Sequence, residues 1–436
     1  MKQKKSESSW PKVRKFLNDV HLWIGLASGI IVLLICLSGT IYVFNTEIRE
    51  LSSPELYDAA HDAGAQKLSA EELIADAGLE TGGKVISIKI PADPERSYVL
   101  IVRKPEEAKQ GDIQGEKGPG RVEQAGKGSG SERSRGKAEM AGPEKPGSSS
   151  RGIQYMVDPY SGKILGSSAD KNRVTEFMQL MFSLHRWLLL DRIEEPLIGE
   201  LPNRKLGSYI SGTATILFTL GVITGIIIWV PQKVRNWKQG LKIKWSANWK
   251  LVNHDLHNSL GFYSCILLFM MGITGPQWSF PWYRESLRKV LGTYQPENAS
   301  KPETPKSGLQ TTNRNTLLIE SFIAAADKNL NYPGDLTISL PADSSDAVQL
   351  SKTRKGFFAP VAADKIWIDQ YTASVLQSDI FSLKPFNERI SNSIKAIHIG
   401  DVYGTFSKIL YFLACLIATS LPVTGTLIWI NKMKKG

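Results

Sequence analysis

The stretch VHLWIGLASGIIVLLICLSGTIYVFNT, residues 20–46, decides how this chain folds. It holds no Asp, Glu, Lys or Arg, and it is longer than the roughly 20 apolar residues that cross a hydrocarbon core of about 30 Å as a helix. A helix buried in a soluble core rarely stays uncharged for so long, so the stretch reads as a membrane span. The same holds for the charge-free runs 206–232, 256–283 and 409–431.

The third run echoes the first. Residues 256–282, LHNSLGFYSCILLFMMGITGPQWSFPW, set His257, Gly261, Thr274-Gly275 and Phe280 each 236 positions after His21, Gly25, Ser38-Gly39 and Phe44. Thr224-Gly225 and Ile228-Trp229 of the second run recur as Thr424-Gly425 and Ile428-Trp429 in the fourth. Such self-similarity marks a duplicated unit. The fold class that follows is membrane α-helical: four transmembrane helices in two repeated pairs, each pair enclosing a small α+β extracytoplasmic domain.

The 436 residues exceed what one compact core needs. The net charge of +11 does not point to nucleic acid, because the basic residues cluster by segment. Lys2, Lys4, Lys5, Lys12, Arg14 and Lys15 precede the first span, Lys233, Arg235, Lys238, Lys242, Lys244 and Lys250 lie between the second and third, and Lys432, Lys434 and Lys435 follow the fourth. With four spans these segments share one side, and the positive-inside rule makes it the cytoplasm. The N-terminal run is too long for a signal peptide and no small-residue cleavage pattern follows it, so it is expected to stay as the first helix.

The expected organisation is a basic tail (1–19), span 1 (20–46), an outer module (47–184), an outer interfacial segment (185–205), span 2 (206–231), a basic loop (232–253), span 3 (254–282), a second module (283–397), an outer segment leading into span 4 (398–431), and a short tail (432–436). The modules match piecewise: Ile88 to Asp93 resembles Ile338 to Asp343, and Val157-Asp158 with Tyr160 resembles Ile368-Asp369 with Tyr371. Short helical patterns, 69–77 and 317–327, precede alternating strand-like pieces. The first module carries an insertion over 104–150, rich in Gly, Lys, Glu and Ser, which buries too little apolar surface to offset its ordering entropy and is expected to be a disordered loop.

Cys36, Cys265 and Cys415 all lie in predicted spans, so the outer modules have no disulfide and the chain has no C-x-x-C-H attachment site. Five of the six histidines fall near span entrances: His21, His254 and His257 at the cytoplasmic face, His185 and His398 at the other. Neutral imidazole is a good iron ligand, and two helices that each supply one histidine at equal depth can clamp a macrocycle between them. The repeat pairs His21 with His257 and His185 with His398, as axial ligands of two non-covalent b haems. The plain alternative is that each is a polar residue near headgroups, beside the aromatic belt of Trp23, Trp187, Trp229, Trp282 and Trp429. His254 shares a helix face with His257, so it reads as a spare ligand, a propionate partner or a supporting donor. On continuous helices His398 and His185 would lie beyond the apolar core, setting the outer site near the headgroups. Met178 and Met181 offer a thioether there. The span glycines, Gly39, Gly225, Gly275 and Gly425 among them, read first as close-packing residues and second as room for a macrocycle. His61 reads as a surface residue.

With these features the chain resembles the PepSY-associated transmembrane helix family, the iron-regulated membrane proteins that include siderophore-iron reductases. The resemblance runs from Val13 to the C-terminus. It rests on the His-x-x-x-Gly openings at His21 and His257, on Leu184-His185-Arg186 and Ile397-His398-Ile399-Gly400, on the Thr-Gly and Trp pattern of the returning helices, and on modules ending in Asp158 and Asp369. It implies a multi-pass protein of the bacterial inner membrane with cytoplasmic termini and periplasmic PepSY-like modules. It also implies b haems on transmembrane histidines, and reduction of ferric siderophores to release Fe(II). The second module departs from the pattern in lacking counterparts of Pro159 and Gly162.

The expected activity is therefore that of a di-haem ferric-siderophore (ferric-chelate) reductase in the lipid bilayer. No nucleotide or flavin motif is present, so the electron donor is separate, a quinone or a membrane reductase. A homodimer is left open. The alternatives are a non-enzymatic membrane protein whose modules bind peptide or a partner protease, and a metal or siderophore permease.

Overall fold

The computed structural model describes residues 10–59, 65–104, 152–230, 237–296, 299, 303–308, 317–360 and 362–434. Apart from Lys104, the Gly/Lys-rich insertion lies outside them, as do His61 and the basic residues of 1–9 and 231–236. Along the chain run α1 (Trp10–Tyr42), α2 (Ala70–Thr81), β1 (Lys84–Ile90), β2 (Tyr98–Arg103), β3 (Ile153–Val157), β4 (Ile164–Ser167), α3 (Arg173–Trp187), α4 (Asn203–Trp229) and α5 (Trp249–Thr274). They continue with α6 (Ile319–Asn329), β5 (Gly334–Ser339), β6 (Val348–Arg354), β7 (Asp364–Ile368), β8 (Val375–Asp379), α7 (Phe386–Ile399) and α8 (Gly404–Met433).

Helices α1, α4, α5 with its 3₁₀ extension to Trp278, and α8 are long and apolar enough to cross a membrane. Many of their hydroxyls are satisfied within the helix: those of Ser28, Ser38 and Thr40 donate to Ile24, Leu34 and Cys36 carbonyls at 2.7–2.8 Å. In hydrocarbon, where water supplies no partner, that local bonding lets these residues sit mid-span. Phe16, Trp23, Ile30 and Leu37, seven apart on α1, are exposed and form a lipid-facing stripe. Helix α1 packs on both α4 and α8, and α5 packs on the same two, so the spans close into a ring.

Outside the spans lies one eight-stranded antiparallel sheet, in the order β4-β3-β2-β1-β5-β6-β7-β8. Two separate domains were expected; instead β1 and β5 pair edge to edge, with Ile88 opposite Ile338. Each strand would otherwise present an open edge of unpaired backbone groups, and the pairing removes both edges. Alternation does the rest. Tyr98, Leu100 and Val102 of β2 point into a core shared by both halves, where Leu73 of α2, Phe322 of α6, Ile88, Ile338 and Leu350 are wholly buried.

Three helices start at a side-chain cap, Asn172 for α3, Asn248 for α5 and Ser69 for α2. Ser69 and Glu72 form a reciprocal capping box at α2. The starts of α2 and α6 also cap each other: Glu71 accepts from the Ile319 N–H, and Glu320 accepts from the Ala70 N–H at 3.3 Å.

Asp335 of β5 reinforces the seam between halves, reaching Lys89 of β1 at 3.0 Å, Lys355 at 3.1 Å and the Ala92 N–H at 3.1 Å. Burial works to raise its pKa, but these partners outweigh burial and hold the carboxyl below the usual aspartate range. Asp158 and Asp369 are turn formers. Each accepts from the N–H two residues on, Tyr160 at 3.0 Å and Tyr371 at 2.8 Å.

Candidate functional site: two histidine pairs

His21 on α1 and His257 on α5 meet with ring centroids 6.2 Å apart and planes at 78°. His21 Nδ1 lies 3.0 Å from the Gly221 carbonyl and 3.1 Å from Thr224 Oγ1 on α4. His257 Nδ1 lies 2.9 Å from Thr424 Oγ1 on α8. The second pair repeats the geometry, His185 on α3 and His398 on α7 having centroids 6.2 Å apart and planes at 63°. His185 Nδ1 faces the Ile35 carbonyl of α1 at 2.8 Å, and His398 Nδ1 faces Thr274 Oγ1 at 3.0 Å and the Met271 carbonyl at 3.2 Å on α5.

The partners assign the tautomer. A carbonyl only accepts, and the hydroxyls of Thr224, Thr274 and Thr424 already donate to carbonyls of their own helices. All four rings therefore carry their proton on Nδ1, which leaves the Nε2 lone pair as the acceptor or ligand atom. Orientation of a ligating imidazole by a bond at its other nitrogen is the usual support of a metal-binding histidine.

Glycine makes room for each ring. A Cβ on Gly225 or Gly425 would lie 3.2 or 3.1 Å from Cε1 of His21 or His257, and one on Gly39 or Gly275 would lie 3.1 or 3.3 Å from Cε1 of His185 or His398. The close-packing role expected for these four glycines is thus specific: what packs on them is a histidine ring. By contrast, Gly25 and Gly221 face open space. Each pair joins two helices and leans on others, so the ring of spans orients all four imidazoles.

The depth of the outer pair corrects the sequence reading. His185 and His398 do not ride on continuous extensions of α4 and α8. Leu188 and Leu189 take φ of 54° and 63°, and Gly400 takes 78°, left-handed turns that end α3 and α7. Both helices fold back along the spans, α3 against α1 and α4, and α7 against α5. Close approach holds α3 there, since a Cβ on Gly207 of α4 would come within 2.1 Å of the Trp187 carbonyl. On α1 the contacts of the two pairs fall at residues 21 and 39, and on α5 at 257 and 275. At 1.5 Å per residue either interval is about 27 Å, close to the thickness of a bilayer core.

A cavity of about 540 Å³ surrounds the outer pair and reaches from Val32 and Ala418, deep between the spans, to Arg288 and Lys395. Arg186, Arg288 and Lys395 line it, and among the described residues no carboxylate does. Arg186 Nε is buried without a hydrogen-bond partner among the described residues. These cations were missed in the sequence. Only Arg186 had a signal there, as the neighbour of His185. A deep apolar slot with cations at one end suits a flat ligand bearing carboxylates at one edge.

His254 stands apart from the inner pair. Its side chain is half exposed, 3.3 Å from Asn258 Nδ2 and 3.7 Å from Asp255, so its readings as ligand or supporting donor do not match its placement. Met178 is buried in packing. Among the described residues no three His, Cys, Asp or Glu side chains gather into a metal-binding group. The histidines meet in twos, a set suited to the two axial positions of a metal whose remaining ligands come from elsewhere.

Fold and site together define an integral membrane protein whose ring of four helices holds an imidazole pair towards each end, beneath a shared extramembrane sheet. The chain belongs to the family described as PepSY-associated TM region, whose model matches residues 19–432. No curated protein matches the chain.

Proposed function

We propose that the protein is a transmembrane electron carrier that reduces a ferric chelate, of the siderophore type, outside the bacterial inner membrane. Its halves are a duplicated unit, the termini are cytoplasmic and the sheet is periplasmic. The observation that carries the reading is the pairing of four tautomer-locked histidines at matching separations. Two metal–imidazole bonds of about 2.0–2.1 Å hold ring centres about 6 Å apart, and both pairs have theirs at 6.2 Å.

The residues fit b-type haem. His21 with His257 and His185 with His398 would hold it, and Arg186, Arg288 and Lys395 would receive carboxylates at the outer site. When bound, haem supplies reversible one-electron chemistry in a bilayer that excludes ions. The chain does the remaining work. Thr224, Thr424, Thr274 and the Ile35 carbonyl hold each Nδ1 proton and keep Nε2 free. The glycines let each ring approach a neighbouring span. Apolar walls from Val32, Leu268 and Ala418 line the deep part of the outer cavity. Electrons come from a separate donor on the basic, cytoplasmic side, a quinol or a membrane reductase.

The test is reconstitution in liposomes that enclose a ferric chelate and an Fe(II) indicator, with a membrane-impermeant reductant outside. The wild type is expected to produce Fe(II) inside, whereas His21→Ala/His257→Ala and His185→Ala/His398→Ala are each expected to stop it. Equal Fe(II) formation by either double variant would overturn the reading.

A further inference from the structure

A second cavity, of about 450 Å³, lies on the far side of α7 from His398. It is enclosed by α7, by Pro360 and Ala362 from the loop before β7, by Phe381, and by the turn from Asp401 to Tyr403. Pro360 and Tyr403 bridge through their backbones and close one end. Phe381, Phe386, Ile390 and Tyr403 supply an apolar and aromatic lining, while Arg389 and Lys395 supply two cations. Neither cation forms an ion pair among the described residues. The one acid of the lining, Asp401, has Lys408 of α8 at 3.8 Å, a lysine that Glu47 holds more closely at 2.7 Å, so the two cations of the lining outnumber one carboxylate. The cleft is therefore cationic, half aromatic, and of a size that takes a small molecule rather than a protein surface.

Its position gives it a purpose. Asn392, Lys395 and Ile399 line both this cleft and the cavity of the outer histidine pair. The wall between the two spaces is a single helix, and at these three residues a single side chain. Electron transfer demands that donor and acceptor come close, and the cleft is an outward-opening space adjoining the outer site.

We propose that this cleft is the docking site of the electron acceptor, an anionic ferric chelate, with Arg389 engaging its charge and Phe381, Phe386 and Tyr403 its organic shell. The proposal rests on the electron-transfer reading above for the identity of the ligand, but binding can be read without turnover. Gallium(III) replaces ferric iron at equal charge and is not reduced, so a gallium tris-catecholate is the probe.

Titration of the full-length protein in detergent, followed by isothermal calorimetry, is expected to show saturable binding that weakens about tenfold or more in Arg389→Gln and again in Tyr403→Ala. The uncharged gallium trihydroxamate is expected to lose little on Arg389→Gln. Size-exclusion profiles matching wild type establish that the variants are folded. Equal anionic-probe affinity in wild type and Arg389→Gln overturns the proposal. So does a wild type that binds no probe but retains phospholipid phosphorus that Arg389→Gln loses, which would make the cleft a lipid site. Binding with the expected variant pattern in a protein that holds no haem would leave the cleft standing and overturn the electron-transfer reading instead.

Discussion

Gly207→Ala tests whether the packing of α3 on α4 is what sets the outer histidine in place. The new Cβ would lie 2.1 Å from the Trp187 carbonyl oxygen and 2.8 Å from its carbon. To regain ordinary contact at 3.4 Å, the end of α3 must retreat by about 1.3 Å. Both sides of the clash are helix backbone, so no rotamer change relieves it. Overpacking of this kind costs about 1–3 kcal/mol, against which alanine recovers about 1 kcal/mol of helix propensity. The net effect is a destabilisation of up to about 2 kcal/mol, with His185, two residues from Trp187, drawn off its 2.8 Å bond to the Ile35 carbonyl. Gly221→Ala on the same helix is the control, because its Cβ meets nothing within 4 Å and only the propensity gain remains. The assay is the apparent unfolding midpoint at a fixed scan rate, with haem content measured alongside. Gly207→Ala should fall below wild type and lose half its haem, while Gly221→Ala should match or exceed wild type. A Gly207→Ala midpoint equal to that of Gly221→Ala, with full haem, would refute the reasoning.

Three further outcomes follow from the same geometry. Thr424→Val removes the acceptor that holds the His257 Nδ1 proton, and should weaken haem retention at the inner site about 10–100-fold, with Thr424→Ser restoring it; haem transfer to apomyoglobin measures this. Asp335 is held below its ordinary pKa by Lys89 and its other partners, so its stabilisation is complete above the unfolded aspartate value of about 3.9 and fades as pH falls through the native value. Thermal midpoints between pH 7 and pH 3 should therefore fall less steeply in Asp335→Asn than in wild type. Gly162→Ala forces a side chain onto a φ of +75°, 3.2 Å from Leu68 Cδ1, and should destabilise the sheet by about 1 kcal/mol in denaturant titration.

Much of this was legible in the sequence because the signals are periodic or charge-based. Twenty or more uncharged residues have few other readings, so the existence of four spans is legible, whereas their ends are not: α1 begins at Trp10, ten residues before the expected start at 20, because a helix runs on past its uncharged part. His21 and His257 could be matched because they sit on the spans themselves, in register with a motif. The outer site was harder. Its depth depends on left-handed turns at Leu188, Leu189 and Gly400, and two leucines at positive φ carry no sequence signature; tertiary packing of α3 on α4 imposes them. The union of β1 with β5 was hidden for a related reason. Alternation reports which face of a strand is buried but not which strand lies beside it, so one sheet and two sheets read alike. Arg186, Arg288 and Lys395 come from three separate segments that only the fold brings to one cavity.

Whether each histidine pair holds one haem is read most directly from haem stoichiometry with a reduced-minus-oxidised spectrum of the purified protein. Two b-type haems per chain are expected in wild type and in His254→Ala, and one in each of His21→Ala and His398→Ala. A colourless protein after expression with ample haem, or two haems retained in both His21→Ala and His398→Ala, would contradict it.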